Sequence, residues 1–194
     1  PTGVEVGAGA RIVLMPDGGG VGQALAARLE ARGAEVLAID GAPEAAALEA
    51  QLEAWAAEGP IRGVYWLPAL DAEGPLAGLD PAAAAEALRV RVKLLAVAMR
   101  ALAGHVDATG TFLVAATRLG GRHGAGADGA ASTFGGAVTG FTKALARERE
   151  AATIKAVDFA PSRKTAALAD LLIEATERDP GAGEVGHADG LRCT

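Results

Sequence analysis

Between residues 11 and 40 a short apolar run, a glycine-rich turn, an amphipathic stretch and a second apolar run follow one another. That order restricts the folds open to this chain more than any other feature. "RIVLM" (Arg11–Met15) is apolar at nearly every position, as a strand buried on both faces must be. It breaks at Pro16 and the glycines of "PDGGGVG"; Val21, Leu25 and Leu29 then recur at helical spacing until Gly33 stops the helix. "AEVLAID" (34–40) is the next strand. Two strands joined through a helix run parallel, because a parallel pair needs a crossover of this length.

The same alternation continues. "PEAAALEAQLEAWAAEG" is a second helix with Pro43 in its first turn, and "IRGVYWLPAL" a third strand. A single long helix is expected over "DPAAAAEALRVRVKLLAVAMRALAGH", followed by the strand "GTFLVAAT", a glycine-rich loop and the helix "GAVTGFTKALARERE". The strand "TIKAVDF", the helix "TAALADLLIEATERD" and a final short strand near "GEVGHADG" complete the chain. Repeated βαβ units predict an α/β fold: one doubly wound parallel-sheet Rossmann-like sandwich spanning residues 1–194. The start lacks an initiator Met, which reads as a domain cut from a longer polypeptide.

Composition narrows the function. A formal net charge of −6 is the wrong sign for a nucleic-acid binder. No apolar run reaches the roughly 18 residues that a membrane-spanning helix requires, and there is no signal-type N-terminus, so a cytoplasmic location is expected. Cys193 is the only cysteine, and His105, His123 and His187 show no metal-ligand spacing, so no metal is expected.

In a doubly wound sheet, ligands bind at the carboxyl ends of the strands. The first β-to-α turn, with Gly18, Gly19, Gly20, Val21 and Gly22, is therefore a candidate phosphate cradle that offers backbone N–H groups and a helix N-terminus; the alternative is a tight turn needing positive φ. Asp17 stands close to where a phosphate would lie, and like charges repel. Asp40 falls where an acidic side chain accepts hydrogen bonds from an adenosine ribose, which favours NAD over NADP; the alternative is an Asp-Gly turn.

The stretches "DGGGVGQALAARLEARGAEV", "GVYWLPALD", "ALRVRVKLLAVAMRAL", "GTFLVAATRLGGRHG" and "GGAVTGFTKALARE" together resemble the short-chain dehydrogenase/reductase superfamily over nearly the full length. They look most like the ketoreductase domains of multidomain polyketide and polyunsaturated fatty-acid synthases. The resemblance implies NAD or NADP as cofactor, an acyl-thioester ketone as substrate, and neighbouring synthase domains or a second copy as partners. It also implies a Tyr proton donor, a Lys beside it and a Ser on the carbonyl oxygen.

This chain departs from that pattern. In the turn, Pro16 stands where the pattern's first glycine belongs. Aligned on "GFTKALARE", the Tyr position holds Ala131, the Ser position Arg118 beside Thr117, and the Asn position of the synthase branch Gly135. Lys93 matches the synthase Lys, though a solvated helix lysine fits the same pattern. Substitute donors are Thr117, Ser132 and His123. Two readings result: a degenerate ketoreductase-like domain, structural or nucleotide-binding and without a cofactor if the site is vestigial, or an active NAD(P)-dependent reductase of β-ketoacyl thioesters.

Overall fold

The computed structural model describes residues 1–74, 78–126, 130 and 132–194. Seven strands form one sheet in the order β2-β1-β3-β4-β5-β6-β7. They are β1 (Arg11–Met15), β2 (Glu35–Ala38), β3 (Gly63–Ala69), β4 (Phe112–Thr117), β5 (Thr153–Phe159), β6 (Glu184–Ala188) and β7 (Leu191–Cys193). All neighbouring pairs are parallel except β6 with β7. The helices are α1 (Val21–Ala31), α2 (Ala45–Glu58), α3 (Pro81–Leu88), α4 (Leu94–Ala101), α5 (Gly135–Glu148) and α6 (Thr165–Glu177).

Strand alternation builds two cores. Ile12, Leu14, Tyr65 and Val114 face α1 and α6, while Val13, Met15, Trp66 and Leu113 face α2, α4 and α5. With few large rings the layers pack closely: a Cβ on Gly63 would stand 2.2 Å from the Phe112 ring on the adjacent strand. The doubly wound sandwich is thus as expected. Its strand order reverses between β1 and β3, and β2 is the sheet edge. The six-stranded dinucleotide fold of order 3-2-1-4-5-6 carries a further strand beyond that edge.

Two elements differ from the sequence reading. The long helix expected over residues 80–105 is interrupted by a π turn at Arg89–Lys93, where the Leu94 N–H donates to the Arg89 carbonyl. The wider turn leaves the Arg91 carbonyl to the buried indole of Trp66, whose Nε1–H donates to it at 2.8 Å. The terminal strand is a hairpin, β6–β7, turning at Asp189 (φ 54) and Gly190 (φ 74). Positive φ at both central residues is the two-residue turn for which Asp-Gly is suited.

His187 of this hairpin stacks on Phe159, with ring centroids 5.4 Å apart. Burial holds its imidazole below the ordinary value; the Arg192 charge adds to this and Glu174 opposes it. The unfolded chain therefore takes up this proton first, and stability present above about pH 6.5 is lost as the pH falls through the folded value. Urea unfolding between about pH 7.5 and about pH 5 should show this loss in the native chain and less of it in His187→Leu.

Candidate functional site

The carboxyl edge of the sheet is crossed by three loops, and an internal carboxylate organises each. In the first β-to-α turn Asp17 folds back over the start of α1. Its Oδ1 accepts from Gly22 N at 2.7 Å, and its Oδ2 accepts from Gly19 N at 3.0 Å and Val21 N at 3.2 Å. Asp71, from the loop after β3, accepts the Gly18 N–H on both oxygens at 3.0 and 2.9 Å. Of the expected cradle only Gly20 (φ 91) has its N–H outside these contacts. Pro16 closes the turn from beneath, since a Cβ on Gly22 would lie 2.7 Å from the Pro16 ring.

Burial raises the Asp71 carboxyl above its usual range; the Gly18 N–H opposes this, the nearby Asp17 charge adds to it, and Arg91 and Arg118 oppose it. The turn therefore already holds two acids close together. Asp40 lies two residues beyond β2, is exposed, and is followed by Gly41 at φ 60.

At the end of β4 the buried Asp158 of β5 gathers the next loop. Its Oδ1 accepts from Thr117 Oγ1 at 2.8 Å and from Leu119 N at 2.5 Å, and its Oδ2 accepts from His123 N at 2.8 Å. The loop is pressed onto β6, where a Cβ on Gly121 would meet the His187 carbonyl oxygen at 2.2 Å. Thr117 is thus present at the expected place with its hydroxyl engaged. His123 has a left-handed backbone (φ 52), and its Nδ1 stands 4.0 Å from Glu184, which is paired with Lys143 at 2.8 Å.

In the third loop Glu73 anchors the N-terminus of α5. It accepts from Ser132 Oγ at 2.8 Å and from Phe134 N at 2.8 Å. Arg91 pairs with it, the two side chains being only 6% and 3% exposed. Arg91 also donates to the carbonyls of Pro68 at 3.2 Å and Asp71 at 2.6 Å. Pro68 sits where the β3–β4 register shifts, a bulge that suits a residue without an N–H.

The structure brings Thr117 and Ser132 to one loop, since the Ser132 N–H donates to the Arg118 carbonyl at 3.1 Å. Lys93 is exposed, while Arg91 is the buried cation of the same π turn. Ala131, at the Tyr position, lies outside the described residues. Gly135 lets α5 approach β4, because a Cβ there would stand 3.2 Å from that of Thr117. Tyr65 is a core residue whose hydroxyl pairs with Thr176 at 2.8 Å, and burial raises its pKa.

Sequence reasoning missed Asp71, Glu73, Arg91 and Asp158. The first two were visible as acids immediately after the third strand, in "LDAEG". Among the described residues no group of three or more His, Cys, Asp or Glu could hold a metal, and no helix is long and apolar enough to cross a membrane.

No protein-family model and no curated protein matches the sequence. Solved structures do match. A short-chain dehydrogenase/reductase from Serratia marcescens is 18% identical, with a TM-score of 0.69 over 94% of this chain and 97% of that one. A dehydrogenase/reductase from Sinorhizobium meliloti is 18% identical, with a TM-score of 0.73 over 95% and 96%. A short-chain dehydrogenase/reductase (glucose/ribitol dehydrogenase) from Brucella melitensis is 17% identical, with a TM-score of 0.71 over 93% and 95%. The chain has the fold of the short-chain dehydrogenase/reductases.

Proposed function

We propose that this chain is a ketoreductase-like domain that has given up hydride chemistry and serves as a structural unit of a polyketide or fatty-acid synthase. The synthase setting rests on the sequence resemblance described above. The loss of chemistry rests on one observation: Asp17 and Asp71 take the N–H groups that a dinucleotide pyrophosphate would need. A helix N-terminus attracts an anion through free N–H donors, and here Asp17 and Asp71 occupy those of Gly18, Gly19, Val21 and Gly22 and leave that of Gly20. A phosphate arriving there would lose those donors and meet two negative charges at short range. The residues present do not fit a nicotinamide dinucleotide.

The catalytic side agrees with this. The hydroxyls of Thr117 and Ser132 are bonded to Asp158 and Glu73, so neither is free to donate to a carbonyl, and Lys93 is exposed. Calorimetric titration with NADH and NADPH is expected to give no saturable heat up to about millimolar concentration, a ΔG of about −4 kcal/mol. Saturable binding of either, followed by oxidation of the reduced cofactor with a β-ketoacyl thioester, would establish the active-reductase reading instead.

A further inference from the structure

One recess at the carboxyl edge is not closed by a carboxylate. It measures about 340 Å³ and lies between the loop after β5, the start of α6 and the β6–β7 hairpin. That volume is within the ~300–1,000 Å³ that small-molecule sites use. Its walls are mainly apolar: Phe159, Leu168, Leu171, the His187 ring and Leu191. Leu191 is 62% exposed and is the exposed large hydrophobic residue of the described chain.

The polar side chains at the opening are Ser162, Lys164 and Asp189. Ser162 and Lys164 line it, and the Ser162 Oγ accepts the Lys164 N–H at 3.1 Å, leaving its own proton to donate outward. The Lys164 side chain has no ion pair among the described residues. The one acid on the rim, Asp189, is offset by Arg122 at 3.5 Å. His187 is held towards its neutral form by burial, which keeps that wall apolar. An apolar body with an anionic end satisfies both halves of such a recess, whereas a cation meets Lys164 and a wholly polar molecule wastes the apolar walls.

We propose that this recess binds the chain of an amphiphilic carboxylate, its head between Ser162 and Lys164 and its tail beneath Leu191 against Leu168, Leu171 and His187. The lining includes no residue of the α1 turn, although Thr165, next to Lys164, lies against Gly20 of that turn. A charge-assisted hydrogen bond at a partly shielded site carries enough energy for about a tenfold change in affinity.

The test is a titration of the folded domain with decanoate and, separately, decyltrimethylammonium, both below micelle-forming concentrations, read by calorimetry. Decanoate is expected to saturate a single site and the cationic probe to bind at least about tenfold more weakly. Lys164→Glu should weaken decanoate by about tenfold or more, and Ala167→Trp, at an exposed rim position, should fill the recess and abolish binding. Melting curves establish that the variants are folded, and Lys164→Glu changes only a surface residue. The proposal is overturned if decanoate does not saturate, if both probes bind alike, or if folded Lys164→Glu binds decanoate as the native chain does.

Discussion

Asp158→Ala is expected to lower stability by about 3–6 kcal/mol, read as a fall in urea midpoint and a drop in Tm of roughly 6–24 °C. Asp158 is fully buried and is the acceptor for three donors from one loop: the Thr117 hydroxyl and the N–H groups of Leu119 and His123. Removing the carboxylate leaves these donors without it, and each buried unsatisfied group costs about 1–3 kcal/mol. Thr117→Val, which removes one donor and leaves the carboxylate its two N–H partners, should cost no more than about 1.5 kcal/mol. The contrast tests the assignment. A generic cavity effect would make the two losses scale with side-chain volume, whereas the hydrogen-bond account makes the acid cost more. Hydrogen exchange should rise first in residues 119–124, because Asp158 ties that loop to β5 through two of its N–H groups while Gly121 rests on β6.

The proposed structural role rests on carboxylates of the same kind. In a ligand-binding α/β domain, loops at the carboxyl edge leave N–H groups and hydroxyls unpaired until the ligand arrives. Here Asp17, Asp71, Glu73 and Asp158 already provide what a ligand would. Such an edge is stable when empty, which a structural domain needs and a binding site does not.

The sheet was readable in the sequence because parallel strands covered on both faces appear as apolar runs, and "RIVLM" coincides with β1 to the residue. The hairpin could have been read from Asp189-Gly190, a turn pair between two short extended segments. The π turn could not. Its residues carry the periodicity of an ordinary helix, and the group that draws the Arg91 carbonyl out of line is an indole 25 positions away. Lys93 stands out in the sequence because it matches the synthase Lys, and the pattern of an ordinary helix gives no sign of the difference between it and Arg91. The wide turn buries Arg91 and leaves Lys93 in solvent. Asp17 was recognised as a neighbour of the cradle, but that it would occupy the donors depends on a backbone path no spacing encodes. Asp71 and Glu73 act on partners 53 and 59–61 positions distant, and a single sequence does not connect them.

Arg91→Met should be the other severe substitution, costing about 3–5 kcal/mol, because it leaves the Glu73 carboxylate buried without its cation. Methionine has a similar reach and no charge, so packing is largely kept and the loss reports the orphaned acid. Glu73→Gln made in the Arg91→Met background should recover part of the loss, since a neutral amide oxygen can still accept from Ser132 or Phe134 and carries no charge to desolvate. The double variant is therefore expected to be more stable than Arg91→Met alone, a non-additivity that urea unfolding of the four-member cycle measures directly. Additive losses would mean that the pair does not act as a unit, and that the Arg91 bonds to the Pro68 and Asp71 carbonyls account for the cost of its removal. A less stable Arg91→Met should also loosen Asp71, and with it the carboxylate lying on Gly18, because Arg91 holds the Asp71 carbonyl at 2.6 Å. The buried pair would then connect the anchor of α5 on one side with the first β-to-α turn on the other.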